Sequence, residues 1–349
     1  MLTQIKLRDF RCFDSLECEF GPETNLICGP NAQGKTSLLE AACVLLRLQS
    51  PRTSSLPSVI RHEKRGFVLD GQWGGYHLQF YYGRQRKKLA LDSVEQGSAG
   101  EYLRLARVVW ISNQDMELVR GSAEHRRRYL DFTVSQLDPS YRQQLRCYEK
   151  ALRSRNFLLK SPHPRWKEVD AFTQPLVNSA NYIQNARARL VEILQPQAQL
   201  AQHQIANAAE SLDIEYLRSG APSLVEALEA NREEDLRLRQ TSAGPHRDEM
   251  KFSLNGIGSG FASEGQQRSI ALALKLAQAR VLAGQTDTPP LLLLDDIFGE
   301  LDPDRRNALM LNLPEGTQKL ITTTNLDWLE SSFAATRFQM LGGKLSRVN

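Results

Sequence analysis

The stretch Gly29-Pro30-Asn31-Ala32-Gln33-Gly34-Lys35-Thr36 decides how the rest of the chain is read. It fits the pattern G-x-x-x-x-G-K-[ST] and lies between an apolar strand-like run, Thr24 to Cys28, and a helical run that starts near Lys35. Glycines let the backbone wrap closely around phosphate. The N–H groups of Ala32 to Thr36, and the positive end of the following helix, favour an anion. On this reading Lys35 reaches the β- and γ-phosphates of ATP and Thr36 holds Mg²⁺. Gly29, Pro30, Asn31, Ala32, Gln33, Gly34 and Ser37 complete the expected nucleotide contacts.

A second site element lies near the other end. Leu291 to Leu294 are four leucines followed by Asp295 and Asp296, which reads as a buried parallel strand with carboxylates at its carboxyl end. Beside a phosphate loop, Asp295 is the expected Mg²⁺ ligand and Asp296 the general base that polarises the attacking water, so Lys35, Asp295 and Asp296 form the expected catalytic set. Alone, the stretch would read as a core strand and an acidic turn.

Between these lies Phe261-Ala262-Ser263-Glu264-Gly265-Gln266-Gln267, ahead of an expected amphipathic helix from Arg268 to Leu282. The order of phosphate loop, Ser-x-Gly-Gln element and acidic strand resembles the ABC-type ATPases, whose signature is Leu-Ser-Gly-Gly-Gln. The resemblance implies that Ser263, Gly265 and Gln266 bind the γ-phosphate of ATP held by a second subunit. Glu264 and Ala262 depart from the usual glycine and leucine, and a carboxylate there would repel phosphate unless it points away. The competing reading is a helix cap from Ser263 to Gln266. Gly299-Glu300-Leu301-Asp302 resembles the D-loop of the same family. Leu320 to Asn325 ends a strand in threonines where transporters carry a histidine; Thr323 or Thr324 as a phosphate bridge and a plain strand end are both open. Asn113-Gln114, after the strand Val108 to Ile111, is a polar turn or a Q-loop that would place Gln114 at the nucleotide. By analogy with SMC-like heads, Arg8 and Arg11 would lie over it.

Outward from the motifs, Leu2 to Arg8 and Leu16 to Phe20 alternate as strands, and Arg61 to Lys88 holds short antiparallel strands. From Gly121 the spacing turns helical through Tyr129 to Lys160, Trp166 to Ala206 and Leu224 to Arg239, with breaks expected at Pro162, Pro164, Pro196 and Gly220-Ala221-Pro222. Strand character returns at Met250 to Leu254. The fold class expected is α/β: an ABC-type ATPase head of residues 1–120 and 245–349, with a mixed sheet, flanking helices and an antiparallel β subdomain, interrupted by a short helical arm at 121–244. The arm has no Cys-x-x-Cys hook, which excludes a zinc-linked long coil.

At 349 residues, 41% hydrophobic and 24% charged, the chain has material for about two domains. Five dispersed cysteines read as reduced thiols, and no run is long or apolar enough for a bilayer, so a cytoplasmic protein without a membrane partner is expected. The net charge of +4 suits a polyanion without requiring one. Residues 52–88 carry eight Lys/Arg against two acids and 121–160 nine against four. Arg142, Arg146, Lys150 and Arg153 recur at spacings of three and four, which places them on one helix face; DNA contact and a solvated face are the two readings.

Leu118-Val119-Arg120-Gly121-Ser122, Arg126-Arg127-Arg128-Tyr129-Leu130-Asp131 and Thr241-Ser242-Ala243-Gly244-Pro245-His246-Arg247-Asp248 resemble stretches of the RecF family of bacterial recombination mediators. The resemblance spans nearly the whole chain. It implies an ATP-dependent homodimer, binding of duplex and gapped DNA at single-strand/double-strand junctions, slow DNA-stimulated ATP hydrolysis, and cooperation with RecR and RecO in loading RecA. A recruitment scaffold that holds ATP without needing hydrolysis is the alternative.

Overall fold

The computed structural model describes residues 1–53, 55–206, 210–285, 288–326 and 334–348. In chain order the first strands are β1 (Leu2–Phe10), β2 (Phe13–Glu19) and β3 (Thr24–Cys28), followed by helix α1 (Lys35–Arg47). Next come β4 (Gly66–Trp73), β5 (Tyr76–Gly83), β6 (Lys87–Leu91), β7 (Val94–Glu95), α2 (Gly100–Arg104) and β8 (Val108–Ser112). Helices α3 (Glu117–Arg120), α4 (Ala123–Leu137), α5 (Tyr141–Leu159), α6 (Trp166–Asp170) and α7 (Thr173–Ala206) precede β9 (Leu212–Leu217), α8 (Leu224–Ala230) and α9 (Arg232–Leu238). The chain continues through β10 (Glu249–Leu254), β11 (Ile257–Gly258), α10 (Glu264–Gly284) and β12 (Leu291–Asp295). It ends with α11 (Pro303–Asn312), β13 (Lys319–Thr323), β14 (Thr336–Leu341) and β15 (Lys344–Val348). Two compact units result: Met1–Asp115 with Lys275–Asn349, and Met116–Leu274. The second is wider at both ends than the insertion expected at 121–244.

The first unit has two sheets. One is mixed, in the order β15-β14-β3-β13-β12-β8, parallel throughout except for β15 at its edge. Strands β12 and β8 are apolar without alternation over Leu291 to Leu294 and Val108 to Ile111, all buried, as a sheet covered on both faces requires. The other sheet is antiparallel, β2-β1-β4-β5-β6-β7. Phe10, Phe67, Phe80 and Tyr82 pack there, with ring centroids of Phe10 and Phe67 5.2 Å apart. Helix α1 contacts strands of both sheets, and Leu38, Leu39 and Ala41 to Leu46 are all fully buried. A helix that is apolar all round must be enclosed in this way.

The polar exceptions on α1 are tied down. Glu40, fully buried, accepts two hydrogen bonds from Arg11, at 2.8 and 2.7 Å, one from Ser50 at 2.6 Å, and lies 3.4 Å from Arg52. Arg47, also fully buried, donates to Leu103 O and Ala106 O at 2.7 and 2.8 Å.

In the second unit, α4, α5 and α7 pack with a three-stranded antiparallel sheet, β11-β10-β9. The helical run expected from Tyr129 to Lys160 is two helices separated at Asp138, and the run from Leu224 to Arg239 is also two. Pro196, expected to break a helix, lies inside α7. Its ring removes one backbone bond, but Leu190, Leu194, Ala198 and Ala201 bury the helix face on both sides of it. Strand β9 falls in a stretch expected to be helical arm and pairs with β10, Leu212 opposite Leu254 through Leu217 opposite Glu249.

The RecF-like stretches meet here. Arg126 pairs with Glu249 at 2.6 and 2.9 Å, and Arg127 donates to Asp248 O. Arg187, from α7, donates to both carboxylate oxygens of Asp131, to Pro245 O at 2.7 Å and to Asp248 Oδ2 at 3.1 Å. Asp248, fully buried, also accepts from Gln184, Ser219 N and the Tyr216 hydroxyl. Burial opposes the charge of Arg187, but Asp131, Tyr141, Tyr216 and Asp248 outweigh it and hold the guanidinium pKa well above its ordinary value. Arg155 and Asp235 form a second buried pair at 2.7 Å.

Candidate nucleotide-binding site

The phosphate loop joins β3 to α1, and its shape is set by backbone conformations that its residues tolerate unequally. Ala32 and Gly34 have φ of 63° and 103°. A Cβ on Gly34 would lie 2.6 Å from Phe13 Cζ and 2.9 Å from Cys12 Sγ, so glycine is required there by both conformation and space. A Cβ on Gly29 would lie 2.3 Å from Met340 O. Neighbouring strands hold the loop: Gly29 N donates to Thr323 O, and Gly342 N donates to Gln33 Oε1 at 2.6 Å. Lys35 Nζ donates to Gly29 O and Pro30 O at 2.6 and 2.8 Å, which folds the ammonium over the loop. Burial pulls its pKa down, opposed by Asp296, Cys28 and Asp295. Thr36 and Ser37, half-buried, open α1.

The carboxyl end of β12 comes to the start of α1. Thr36 Oγ1 donates to Asp295 Oδ1 at 2.8 Å, and Thr322 Oγ1 donates to the same oxygen at 2.8 Å. Burial pushes the Asp295 carboxyl above the usual range, while the two hydroxyls work against the shift. A hydroxyl and a carboxylate at this separation are hard oxygen donors suited to Mg²⁺, and Thr36 and Asp295 are the residues that fit it. Asp296 follows with φ of 48°, its N–H to Thr322 Oγ1 and Thr322 O, its carbonyl accepting from Asn113 Nδ2 at 3.1 Å. Among the described residues its Oδ1 is buried without a hydrogen-bond partner.

Thr322 and Asn113 are therefore the residues the sequence reading missed. Among the strand-end threonines, Thr322 turns toward the carboxylates. The Thr323 hydroxyl instead donates to Asn325 O at 2.7 Å. Register decides this, since Thr322 stands opposite Asp295 in the β12–β13 pairing. Gln114 is exposed, and it is the preceding Asn113 that reaches the acidic strand. Arg11, expected over the nucleotide, spends its guanidinium on Glu40 and Ser58 O; Arg8 is largely exposed.

Ser263, Gly265 and Gln266 belong to the second unit. Helix α10 begins at Glu264, not at Arg268, because the cap expected as the competing reading forms in full: Ser263 N donates to Gln266 Oε1 at 2.9 Å and Gln266 N to Ser263 Oγ at 3.3 Å. Gln266 Nε2 also donates to Glu210 at 3.0 Å. The Glu264 carboxylate is exposed and reaches along the helix to Arg268 at 3.4 Å. Asp302 caps α11, accepting from Arg305 N.

Of the basic cluster at residues 52–88, Arg52, Arg61, Lys64 and Lys88 lie against carboxylates from outside that stretch, while Arg65, Arg84, Arg86 and Lys87 are exposed. Arg61 lies on Asp14, Lys64 on Asp9 at 3.5 Å, and Lys88 near Glu95 at 3.6 Å. In the second cluster Arg126 and Arg155 are absorbed by carboxylates, Arg142 is half-buried, and Arg146, Lys150 and Arg153 are exposed on α5.

Comparison with known proteins agrees with this architecture. A family model described as an AAA domain matches residues 4–213. The DNA replication and repair protein RecF of Natranaerobius thermophilus is 34% identical over 354 residues, covering 93% of this chain and 92% of that protein. RecF of a Geobacillus species is 32% identical, covering 94% and 93%. The solved structure of the recombination mediator protein RecF-ATP in the RecFOR pathway superposes with a TM-score of 0.89 at 30% identity, covering 100% of this chain and 97% of that one. An SMC head bound to a domain of ScpA, at 14% identity and a TM-score of 0.57, shares the fold. The fold is thus that of an ABC-type ATPase head. With identity of 34% across nine-tenths of both sequences, the chain belongs to the RecF family.

Proposed function

We propose that this chain is an ATP-switched, DNA-binding recombination mediator that works as a homodimer. The observation that carries the reading is the meeting of Thr36 and Asp295 at 2.8 Å beside a phosphate loop held in its anion-wrapping conformation. The loop N–H groups and Lys35 would bind the phosphates of ATP, and Thr36 and Asp295 would hold Mg²⁺, which would supply charge neutralisation during phosphoryl transfer. Asp296 accepts a proton from the attacking water through its unpartnered oxygen. Gln114 and the Ser263, Gly265 and Gln266 element complete the contacts, the latter from the second copy. ATP favours the closed dimer that binds gapped or duplex DNA, and slow, DNA-stimulated hydrolysis releases it. RecR, RecO and RecA are the partners expected from the pathway in which the solved relative stands.

Two measurements test this. Sedimentation with and without ATP should show a dimer only with nucleotide; an unchanged monomer at micromolar protein and saturating ATP sinks the switch. Asp296→Asn should retain the ATP-bound dimer and lose turnover. If that variant still loaded RecA at gaps at the normal rate, the protein would be a recruitment scaffold needing no hydrolysis.

A further inference from the structure

We infer that Asn113 is a positioning residue for ATP hydrolysis: its side-chain amide holds Asp296 in the left-handed backbone conformation that aims the carboxylate at the attacking water. The inference rests on Asp296 being the general base.

Asp296 lies one residue past the end of β12, and its φ of 48° is a conformation that residues with a Cβ adopt infrequently. It is held from both sides. On one, its N–H meets Thr322 Oγ1 at 3.0 Å and Thr322 O at 3.2 Å. On the other, its carbonyl accepts from Asn113 Nδ2 at 3.1 Å. Thr322 belongs to β13 and Asn113 follows β8, the two strands that flank β12. Asn113 is itself placed firmly. The adjoining Ser112 stands opposite Asp295 in the sheet, and Ser112 N donates to Asp115 Oδ2 at 2.7 Å. The other oxygen of Asp115 lies 2.8 Å from Lys275 Nζ.

Between these holds the Asp296 side chain has an oxygen that is buried and has no hydrogen-bond partner among the described residues. Leaving an acceptor unsatisfied in the interior is unfavourable, and it is what a general base must offer before a water reaches it. Without the Asn113 donor, the Asp296 peptide is released toward the commoner right-handed conformation, and the carboxylate turns with it. A displacement of about 1 Å costs a reaction on the order of 100-fold. Asn113 makes no hydrogen bond to the phosphate loop or to the Asp295 carboxylate among the described residues, so nucleotide affinity should be spared.

The test uses full-length protein, steady-state ATP hydrolysis, and direct titration with a fluorescent ATP analogue. Asn113→Ala should lower kcat roughly 10-fold or more, with analogue affinity within about twofold of wild type. Asn113→Asp keeps the shape but turns an acceptor toward the Asp296 carbonyl, so its kcat should fall at least as far. In an Asp296→Asn background, Asn113→Ala should add nothing, because the hold acts only through the Asp296 carboxylate. The inference is overturned by wild-type kcat in either single variant, by affinity and kcat falling together, or by a further loss of the residual turnover in the double variant. Wild-type turnover in Asp296→Asn would instead remove the base assignment on which the inference rests, whereas an inactive Asp296→Asn beside a fully active Asn113→Asp would remove the inference alone.

Discussion

The nucleotide site and the Arg187 cluster both bury charged groups, and they differ in how completely those groups are answered. Around Arg187 every carboxylate oxygen of Asp131 and Asp248 has a donor, and the guanidinium is held charged. Around Asp295 burial outweighs two hydroxyls and drives the carboxyl up, and next to it Asp296 keeps an oxygen with no donor. A closed polar network specifies a structure; an open one is a demand for something to bind. Polar burial therefore reads as architecture around Arg187 and as function around Asp295 and Asp296.

The sharpest way to break this contrast is Arg187→Leu. Removing the cation leaves Asp131 and Asp248 facing each other's charge, and the loss should be about 3–5 kcal/mol in urea denaturation. A loss under about 1 kcal/mol would mean that the network is not structural. Asp295→Asn should go the other way, since it removes a buried charge that its surroundings answer poorly. We expect unfolding stability without nucleotide to rise by on the order of 1 kcal/mol or less, while ATP hydrolysis is lost. A drop in stability would show that the Thr36 and Thr322 hydrogen bonds outweigh the burial.

A pH titration gives a smaller effect of known sign. His246 lies between the Tyr148 hydroxyl and Thr241 O, and burial holds its pKa below the ordinary 6.5. The unfolded chain therefore binds the proton first, so the stability contributed by neutral His246 is present above pH 6.5 and is lost as pH falls from 6.5 through the folded value. Thermal melts across that window, compared with His246→Gln, should show a steeper acid loss for the wild type. The smallest stability effect is expected on α5. Replacing Arg146, Lys150 and Arg153 together with Gln should change stability by no more than about 0.5 kcal/mol. If this face touches DNA, the same variant reduces the salt slope of binding by about 0.9 for each phosphate that is no longer neutralised.

The parts of the site that could be read in the sequence are those whose chemistry is contiguous. Gly29 to Thr36 and Leu291 to Asp296 each carry their residue types and their strand or helix setting in one short run. What could not be read depended on pairing. The threonines at 322–324 are equivalent in sequence, and only the register of β13 against β12 brings Thr322 to Asp295. Asn113 and Gln114 are likewise a polar pair until the turn after β8 points one inward. Strand β9 is legible, for Leu212-Asp213-Ile214-Glu215-Tyr216-Leu217 alternates as a half-buried strand does, but its setting among helical runs points the other way. Pro196 shows the converse, a local breaker overridden by apolar packing along α7.

The position of β3 in the mixed sheet has a consequence for how the protein is made. This strand, which leads into the phosphate loop, takes both of its neighbours, β13 and β14, from the last thirty-odd residues of the sequence. On the ribosome one of its hydrogen-bonding edges stays open until β13 has been synthesised and the other until β14 has, whereas residues 116–274 are contiguous and can close as a unit beforehand. The strand that leads into the phosphate loop is therefore fully paired only after the second unit can have closed.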